Sequence, residues 1–204
     1  MLSAEQLREV YSLLDAEQTV DDAGECVDCG VRCDKHCCKP DITKYLLPGE
    51  RTFLERELAA RDDAFVLGNT GFFDTIVADP SVACVCDGLR DLRPFNCRVF
   101  PYGARIVDKN VVDLVKGKQA YLEPCWIEVP GPRWKAGALQ AWQIVLDDVD
   151  CRRLFAKLAT LWEWNRALER GEEPGPVLLA LTRLEHADDD DTWDLATRFF
   201  GRAD

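Results

Sequence analysis

Cysteine is the residue type in this chain whose spacing points most directly to chemistry. The chain contains ten cysteines, and five of them fall within 13 residues, at spacings of three, four, four and one positions. Two cysteines separated by two or three residues in a turn can direct both sulfurs at one ion, at about 2.3 Å for zinc. The series therefore predicts a thiolate metal site. Its members are Cys26, Cys29, Cys33, Cys37 and Cys38.

Cysteines in the middle of the chain can complete the coordination of such a site. They are Cys84, Cys86, Cys97 and Cys125. Together with the first series they provide more sulfurs than one tetrahedral zinc ion takes. The adjacent pair Cys37-Cys38 would point its side chains in different directions unless the backbone is bent, so the two sulfurs suit different ions or different corners of a cluster. We therefore expect a multinuclear site, or two sites, with these nine cysteines as candidate ligands.

Arg93 and Arg98 lie on either side of Cys97 and are candidates for binding the cofactor through charge. Four thiolates around one zinc ion carry a net charge of roughly minus two, which a partly buried site must offset. The alternative is ordinary pairing of both arginines with surface carboxylates. Pro94 restricts the backbone ahead of Cys97 and would help to preorganise that ligand.

Two histidines and one further cysteine need separate interpretation. His36 lies inside the first series and is a candidate imidazole ligand, the alternative being a solvent-facing loop histidine. His186 precedes an acidic run at 188–191, so we expect it on the surface, with the run capping a helix that begins near Thr192. Cys151 falls among apolar residues of a predicted helix, so packing explains it and we exclude it from the site.

Helices make up much of the framework that must position these residues. Ser3 and Gln6 form a capping-box pattern at the start of an amphipathic stretch. Apolar residues at helical spacing predict helices at about 3–16, 50–61, 136–170 (as one or two helices), 177–184 and 193–200.

Short apolar runs in the middle of the chain predict strands instead. They lie near 42–47, 65–67 and 72–77, and on both sides of Asp108-Lys109-Asn110. We expect an α+β fold, a single compact domain over 1–204 with Cys-rich loops, short β-hairpins and a helical C-terminal third. Within it, the N-terminal helix occupies 1–25, the cysteine-cluster region 26–130 and the C-terminal helices 131–204.

Composition narrows the setting in which this site would work. The chain begins without the positive and apolar segments of an export signal, and no stretch reaches the roughly 18 apolar residues of a membrane span. We expect a cytoplasmic protein whose thiols are reduced. The net charge of -12 would repel nucleic acid, which leaves a metal ion and a protein as the candidate partners. The chain also has no Gly-rich phosphate loop and no common hydrolase motif.

In these motifs the chain resembles the YkgJ-type cysteine-cluster proteins, a family described as zinc- or iron-chelating domains. The resemblance covers about 26–130. Its most specific element is Arg93-Pro94-Phe95-Asn96-Cys97-Arg98-Val99-Phe100-Pro101, followed by the Cys37-Cys38 pair. The resemblance implies zinc or iron, including an iron-sulfur cluster, as the cofactor.

The chain departs from the family pattern in three places. The first series is more widely spaced, Cys26 is an additional member, and the usual Ile-Tyr step is absent before Arg93. The choice between Cys84 and Cys86 and the role of Cys26 therefore stay open. Some relatives are flagellin lysine methylases, an activity that the resemblance does not extend to this shorter chain.

The sequence thus favours a metal-binding protein that holds zinc or an iron-sulfur cluster through clustered thiolates. One alternative is an iron-sulfur enzyme that performs redox chemistry or modifies a protein, as a lysine methylase does. The other is a disulfide-stapled module for protein interaction. Colour and metal content separate zinc from an iron-sulfur cluster, and a titration of free thiols separates both from the disulfide-stapled module.

Overall fold

The protein has an α+β fold, which confirms the predicted class. The computed structural model describes residues 1–20, 24, 26–27, 44–59, 66–77, 90–116, 130–173, 175 and 177–201. The helices among these residues are α1 (Ala4–Leu13), α2 (Glu50–Leu58), α3 (Phe95–Val99), α4 (Pro132–Asp147), α5 (Val149–Glu169), α6 (Val177–Glu185) and α7 (Asp189–Gly201).

The strands form three small antiparallel sheets. They are β1 (Thr19–Val20), β2 (Cys26–Val27), β3 (Lys44–Tyr45), β4 (Val66–Asn69), β5 (Asp74–Val77), β6 (Tyr102–Val107) and β7 (Asn110–Lys116). The first two strands pair with each other, β5 lies between β3 and β4, and β6 pairs with β7.

The predicted hairpin at Asp108-Lys109-Asn110 is confirmed. Val107 pairs with Asn110, which leaves Asp108 and Lys109 as a two-residue loop. Both loop residues have positive φ, 49° and 63°. Such a loop matches the right-handed twist of the strands it joins.

Helix α1 begins as its capping residues predict. The Ser3 hydroxyl accepts a hydrogen bond from the Gln6 amide, and the Gln6 side chain accepts one from the Ser3 amide. These bonds satisfy donors that have no partner within the helix. The inner face of the helix, with Leu7, Val10 and Tyr11, is buried in the core.

The C-terminal third is helical, and the stretch predicted at 136–170 consists of two helices. Asp148 separates α4 from α5, and its side chain accepts a hydrogen bond from the Cys151 amide at 3.0 Å. Helix α7 begins at Asp189, about three residues earlier than predicted. The aspartates form its first turn themselves, where carboxylates are favourable. The Asp188 side chain accepts from the Asp191 amide at 2.8 Å.

A buried arginine joins the helices of this third. Arg152 on α5 is 1% exposed and donates to the Leu146 carbonyl at the end of α4 at 2.5 Å. It also donates to the Thr192 hydroxyl of α7 at 3.0 Å and pairs with Asp189. Its guanidinium carbon lies 4.6 Å from the centre of the Trp193 ring.

Aromatic side chains connect these helices to α3. The Trp142 ring on α4 lies 4.8 Å from the Phe95 ring of α3 and 4.9 Å from Phe200 of α7, centre to centre. Phe155 on α5 lies 5.5 Å from Trp142. Edge-to-face pairs of this kind contribute beyond their buried area. The described helices include none long and apolar enough to cross a membrane.

Helices α1 and α4 cross at Gly137 with almost no space between them. A Cβ atom added to Gly137 would lie 1.9 Å from the Leu13 carbonyl oxygen, a distance at which the backbones must move apart. We expect Gly137→Ala to lower the free energy of unfolding by about 2 kcal/mol, although alanine is the better helix former by about 1 kcal/mol. Urea unfolding measures this change.

Gln140→Ala provides the control, because Gln140 is exposed on the same helix. We expect its free energy of unfolding to stay within about 0.5 kcal/mol of the wild-type value. A Gly137→Ala protein as stable as the wild type would contradict the close crossing.

Candidate functional site

Cys97 lies on α3, a helix of little more than one turn. Pro94 precedes the helix in an extended conformation and accepts hydrogen bonds from the amides of Cys97 and Arg98, at 3.0 and 3.1 Å. The side chain of Cys97 is partly exposed, and its thiol is free. The opposite face of the helix, with Phe95 and Val99, is buried. The helix thus presents one thiol away from the core.

Arg98 holds the chain around Cys97 in place. Its guanidinium is 3% exposed and donates to the carbonyls of Arg93 at 2.7 Å, Asp91 at 2.6 Å and Tyr11 at 3.4 Å. The guanidinium carbon lies 4.2 Å from the centre of the Tyr11 ring, within the range of a cation–π contact. The side chain therefore ties the segment before α3 to α3 itself and to α1.

Burial argues against surface ion pairing of the two arginines, while their role toward a cofactor stays a prediction. Arg93 and Arg98 are both buried, so neither is the ordinary surface residue of the alternative. Burial lowers the pKa of Arg98 from its usual value. That shift reflects the cost of keeping a cation out of water.

A buried carboxylate supports α3 from the other side. Glu50 is fully buried, and its Oε1 accepts hydrogen bonds from the Tyr11 hydroxyl at 2.7 Å and from the Phe95 amide at 2.6 Å. Its Oε2 accepts from the Leu47 amide at 2.8 Å. Burial raises the pKa of Glu50, and burial together with this neighbouring carboxylate raises the pKa of Tyr11.

Glu50 and Tyr11 are site residues that sequence reasoning missed. Glu50 follows Pro48-Gly49 at a predicted helix start, where an acidic residue is common on the surface. Tyr11 lies on the apolar stripe of α1, where it fits the core. Neither position carries a sequence signal that distinguishes a residue of the candidate site from an ordinary surface or core residue.

Asn96, next to Cys97, has a buried side-chain oxygen. This Oδ1 atom has no hydrogen-bond partner among the residues that the structure describes. Buried acceptors of this kind are usually paired.

Gln18 connects the hairpin of Cys26 to the end of α3. Its side-chain amide donates to the Phe100 carbonyl. The main-chain carbonyl of Gln18 accepts from the Gly131 amide at 3.0 Å. Strand β1 follows directly, and Val20 pairs with Cys26 across the β1–β2 hairpin. The backbone of Cys26 is thus attached beside α3, while its side chain lies outside what the structure describes.

Each segment that carries the other cysteines has at least one end near the same helix or near residues bonded to it. Segment 28–43 leaves β2 in this hairpin and enters β3, which contacts α3. Segment 78–89 leaves β5 and enters the turn Arg90–Leu92, which leads into α3. Segment 117–129 follows Lys116, the partner of Tyr102 just beyond α3, and ends next to Gly131, which bonds to Gln18.

Most of the predicted ligands fall on these three segments and lie outside the described residues. They are Cys29, Cys33, His36, Cys37, Cys38, Cys84, Cys86 and Cys125. Within the described part of the chain, no three His, Cys, Asp or Glu residues group so that they could hold a metal ion. The ligand assignment therefore stays a prediction.

Two positions predicted from the sequence are confirmed, one in the core and one on the surface. Cys151 is fully buried in the hydrophobic core, and burial raises the pKa of its thiol well above the usual value. This setting is that of a small apolar side chain. His186 is exposed at the end of α6.

Comparisons with known proteins add nothing to the ligand assignment. No protein-family model, no curated protein and no solved structure matches this chain.

Replacing Arg98 by lysine tests how the candidate site is held. A lysine ammonium lacks the planar fork that reaches several carbonyls at once, so buried carbonyl groups would lose their donors. We expect Arg98→Lys to lower the free energy of unfolding by about 2 kcal/mol or more in a urea titration.

The same exchange at Arg105, which is exposed on β6, is the matched control. We expect its effect to stay within about 0.5 kcal/mol. Equal stability of the two variants would argue against a structural role for the Arg98 guanidinium.

Proposed function

We propose that this chain is a cysteine-cluster metal protein of the YkgJ type, which holds zinc or iron through thiolates that include Cys97. The observation that carries the proposal is the common anchoring of the cysteine-bearing segments. Each of the three segments has an end beside α3 or beside residues bonded to it. A partly exposed free thiol lies on that helix.

The lengths of chain between the cysteines and their anchors are compatible with convergence. Cys86 is four residues from Arg90, and Cys125 is six residues from Gly131. At about 3.3–3.6 Å per residue, these stretches reach at most about 14 and 22 Å. Cys26 needs no such stretch, because its strand is part of the anchored hairpin.

Electrostatics around α3 supports a thiolate site. Arg98 donates its hydrogen bonds to main-chain carbonyls, so it would act on bound thiolates through its charge. Arg93 brings a second buried cation. Positive charge of this kind favours the thiolate form of cysteine, which is the form that binds metal. The donor set suits zinc and iron, both of which accept thiolates.

With zinc, metal binding would contribute directly to folding. With an iron-sulfur cluster, the bound group would supply electron transfer. The methylase-like activity of some family members stays an alternative without an observation that favours it.

The decisive experiment is elemental analysis and an absorption spectrum of protein purified without oxygen. We expect stoichiometric metal, with colourless protein for zinc and a brown colour with visible absorption for an iron-sulfur cluster. Protein free of both metals, with few titratable thiols under denaturing conditions without reductant, would overturn the proposal in favour of disulfides.

Cysteine variants test the ligand assignment itself. Cys37→Ser and Cys97→Ser each remove a predicted ligand, and we expect each to reduce metal retention by at least the roughly 10- to 100-fold that even indirect changes at metal sites cause. Cys151→Ser is the matched control and should keep the wild-type metal content, because Cys151 packs in the core. Equal metal loss in all three variants would contradict the assignment.

A further inference from the structure

We propose that Glu50 is the positioning residue of this metal site, holding the start of α3, and with it Cys97, at a fixed separation from Leu47, which follows segment 28–43 and β3. The inference rests on the proposed function. Glu50 lies far from Cys97 in sequence, on α2, and it belongs to neither the cysteine motifs nor the Arg93–Pro101 run.

Helix α3 depends on contacts from outside to keep its place. The helix has five residues, so few of its backbone groups can bond within it. The amides at the start of a helix have no partner inside the helix. Glu50 accepts the first of them, the Phe95 amide, at 2.6 Å. The position of Cys97, two residues further on, follows from where that bond holds the first turn.

The same carboxylate connects α3 to the chain that leaves the first cysteine series. Its second oxygen accepts the Leu47 amide at 2.8 Å, and Leu47 lies two residues after β3, the strand that segment 28–43 enters. Its first oxygen also accepts the Tyr11 hydroxyl of α1. One side chain thus sets the separation between α3 and the end of that segment.

Length of the side chain matters more here than charge. Aspartate at this position is shorter by one carbon–carbon bond, about 1.5 Å, so its oxygens cannot reach all three donors at once. Glutamine keeps the length and one acceptor oxygen. Because Oε1 serves both Tyr11 and Phe95, glutamine can keep the bond to α3 and lose only that to Leu47.

The test measures how fast a chelator removes metal from protein purified without oxygen. EDTA is added to the full-length protein, and zinc and iron released are quantified over time. We expect Glu50→Asp to release metal about 10- to 100-fold faster than the wild type, whereas Glu50→Gln should stay within about fivefold, the contribution of one hydrogen bond. Alkylation of Cys97, followed by mass spectrometry, should accelerate in the same order.

Thr192→Val separates positioning from a general loss of stability. Thr192 is fully buried and bonded to Arg152 at the junction of α5 and α7, so its replacement also weakens the fold. We expect it to lower the free energy of unfolding without accelerating metal release. Equal acceleration in Thr192→Val and Glu50→Asp would overturn the positioning role, as would wild-type release by Glu50→Asp.

The outcomes also separate this inference from the proposed function. Wild-type protein without metal would overturn both, whereas metal-bound wild type with an unaffected Glu50→Asp variant would overturn the inference alone. If Glu50→Asp does not fold, Tyr11→Phe decides, because it removes only the hydroxyl bonded to Glu50. Release about fivefold faster supports the inference, and unchanged release overturns it.

Discussion

Two buried side chains, Glu50 and Arg98, each bonded to several segments of the chain at α3, are the constraint on which the candidate site depends. Glu50 and Arg98 are both almost inaccessible to water, and moving charge out of water is costly unless hydrogen bonds replace the lost hydration. Here hydrogen bonds surround each group: two main-chain amides and the Tyr11 hydroxyl for Glu50, and three main-chain carbonyls for Arg98. Every hydrogen-bond partner belongs to α3 or to a segment that contacts it. The bonds that stabilise the two buried groups therefore also fix the positions of those segments.

In the C-terminal helical third, a buried arginine also joins separate elements through hydrogen bonds. Arg152 bonds to the end of α4 and the start of α7, so one guanidinium connects two helices. Arg98 in the same way connects α3 to the segment that leads into it. In both places the planar fork of arginine satisfies several acceptors that one apolar residue would leave unpaired. Such networks specify one arrangement of the chain more strictly than apolar packing alone, which tolerates similar shapes.

Patterns among neighbouring residues predicted the helices and strands of this fold. The surroundings of the candidate site depend instead on contacts between residues that are distant in sequence. The capping box of α1 and the turn at Asp108-Lys109 depend on neighbours in sequence, so their patterns predict them directly. Cys151 was correctly assigned to the core by its apolar surroundings, whereas the role of Cys97 rests on its motif and stays a prediction. Glu50 and Arg98 acquire their roles from partners up to 87 residues away, and a buried acid has the same sequence appearance as an exposed one. That information exists only in the packed structure.

Anchoring of the three cysteine-bearing segments has an energetic consequence for metal binding. A ligand that must bring distant parts of a chain together spends part of its binding energy on closing loops, a cost that rises slowly with loop length. Here the described scaffold already holds ends of segments 28–43, 78–89 and 117–129 next to α3 through β-pairing and main-chain hydrogen bonds. Much of the closure cost is therefore met by the folded framework. In the proposed metal site, the thiolates would then need only local ordering around the ion, so the site could be tight while drawing its ligands from separate regions of the sequence.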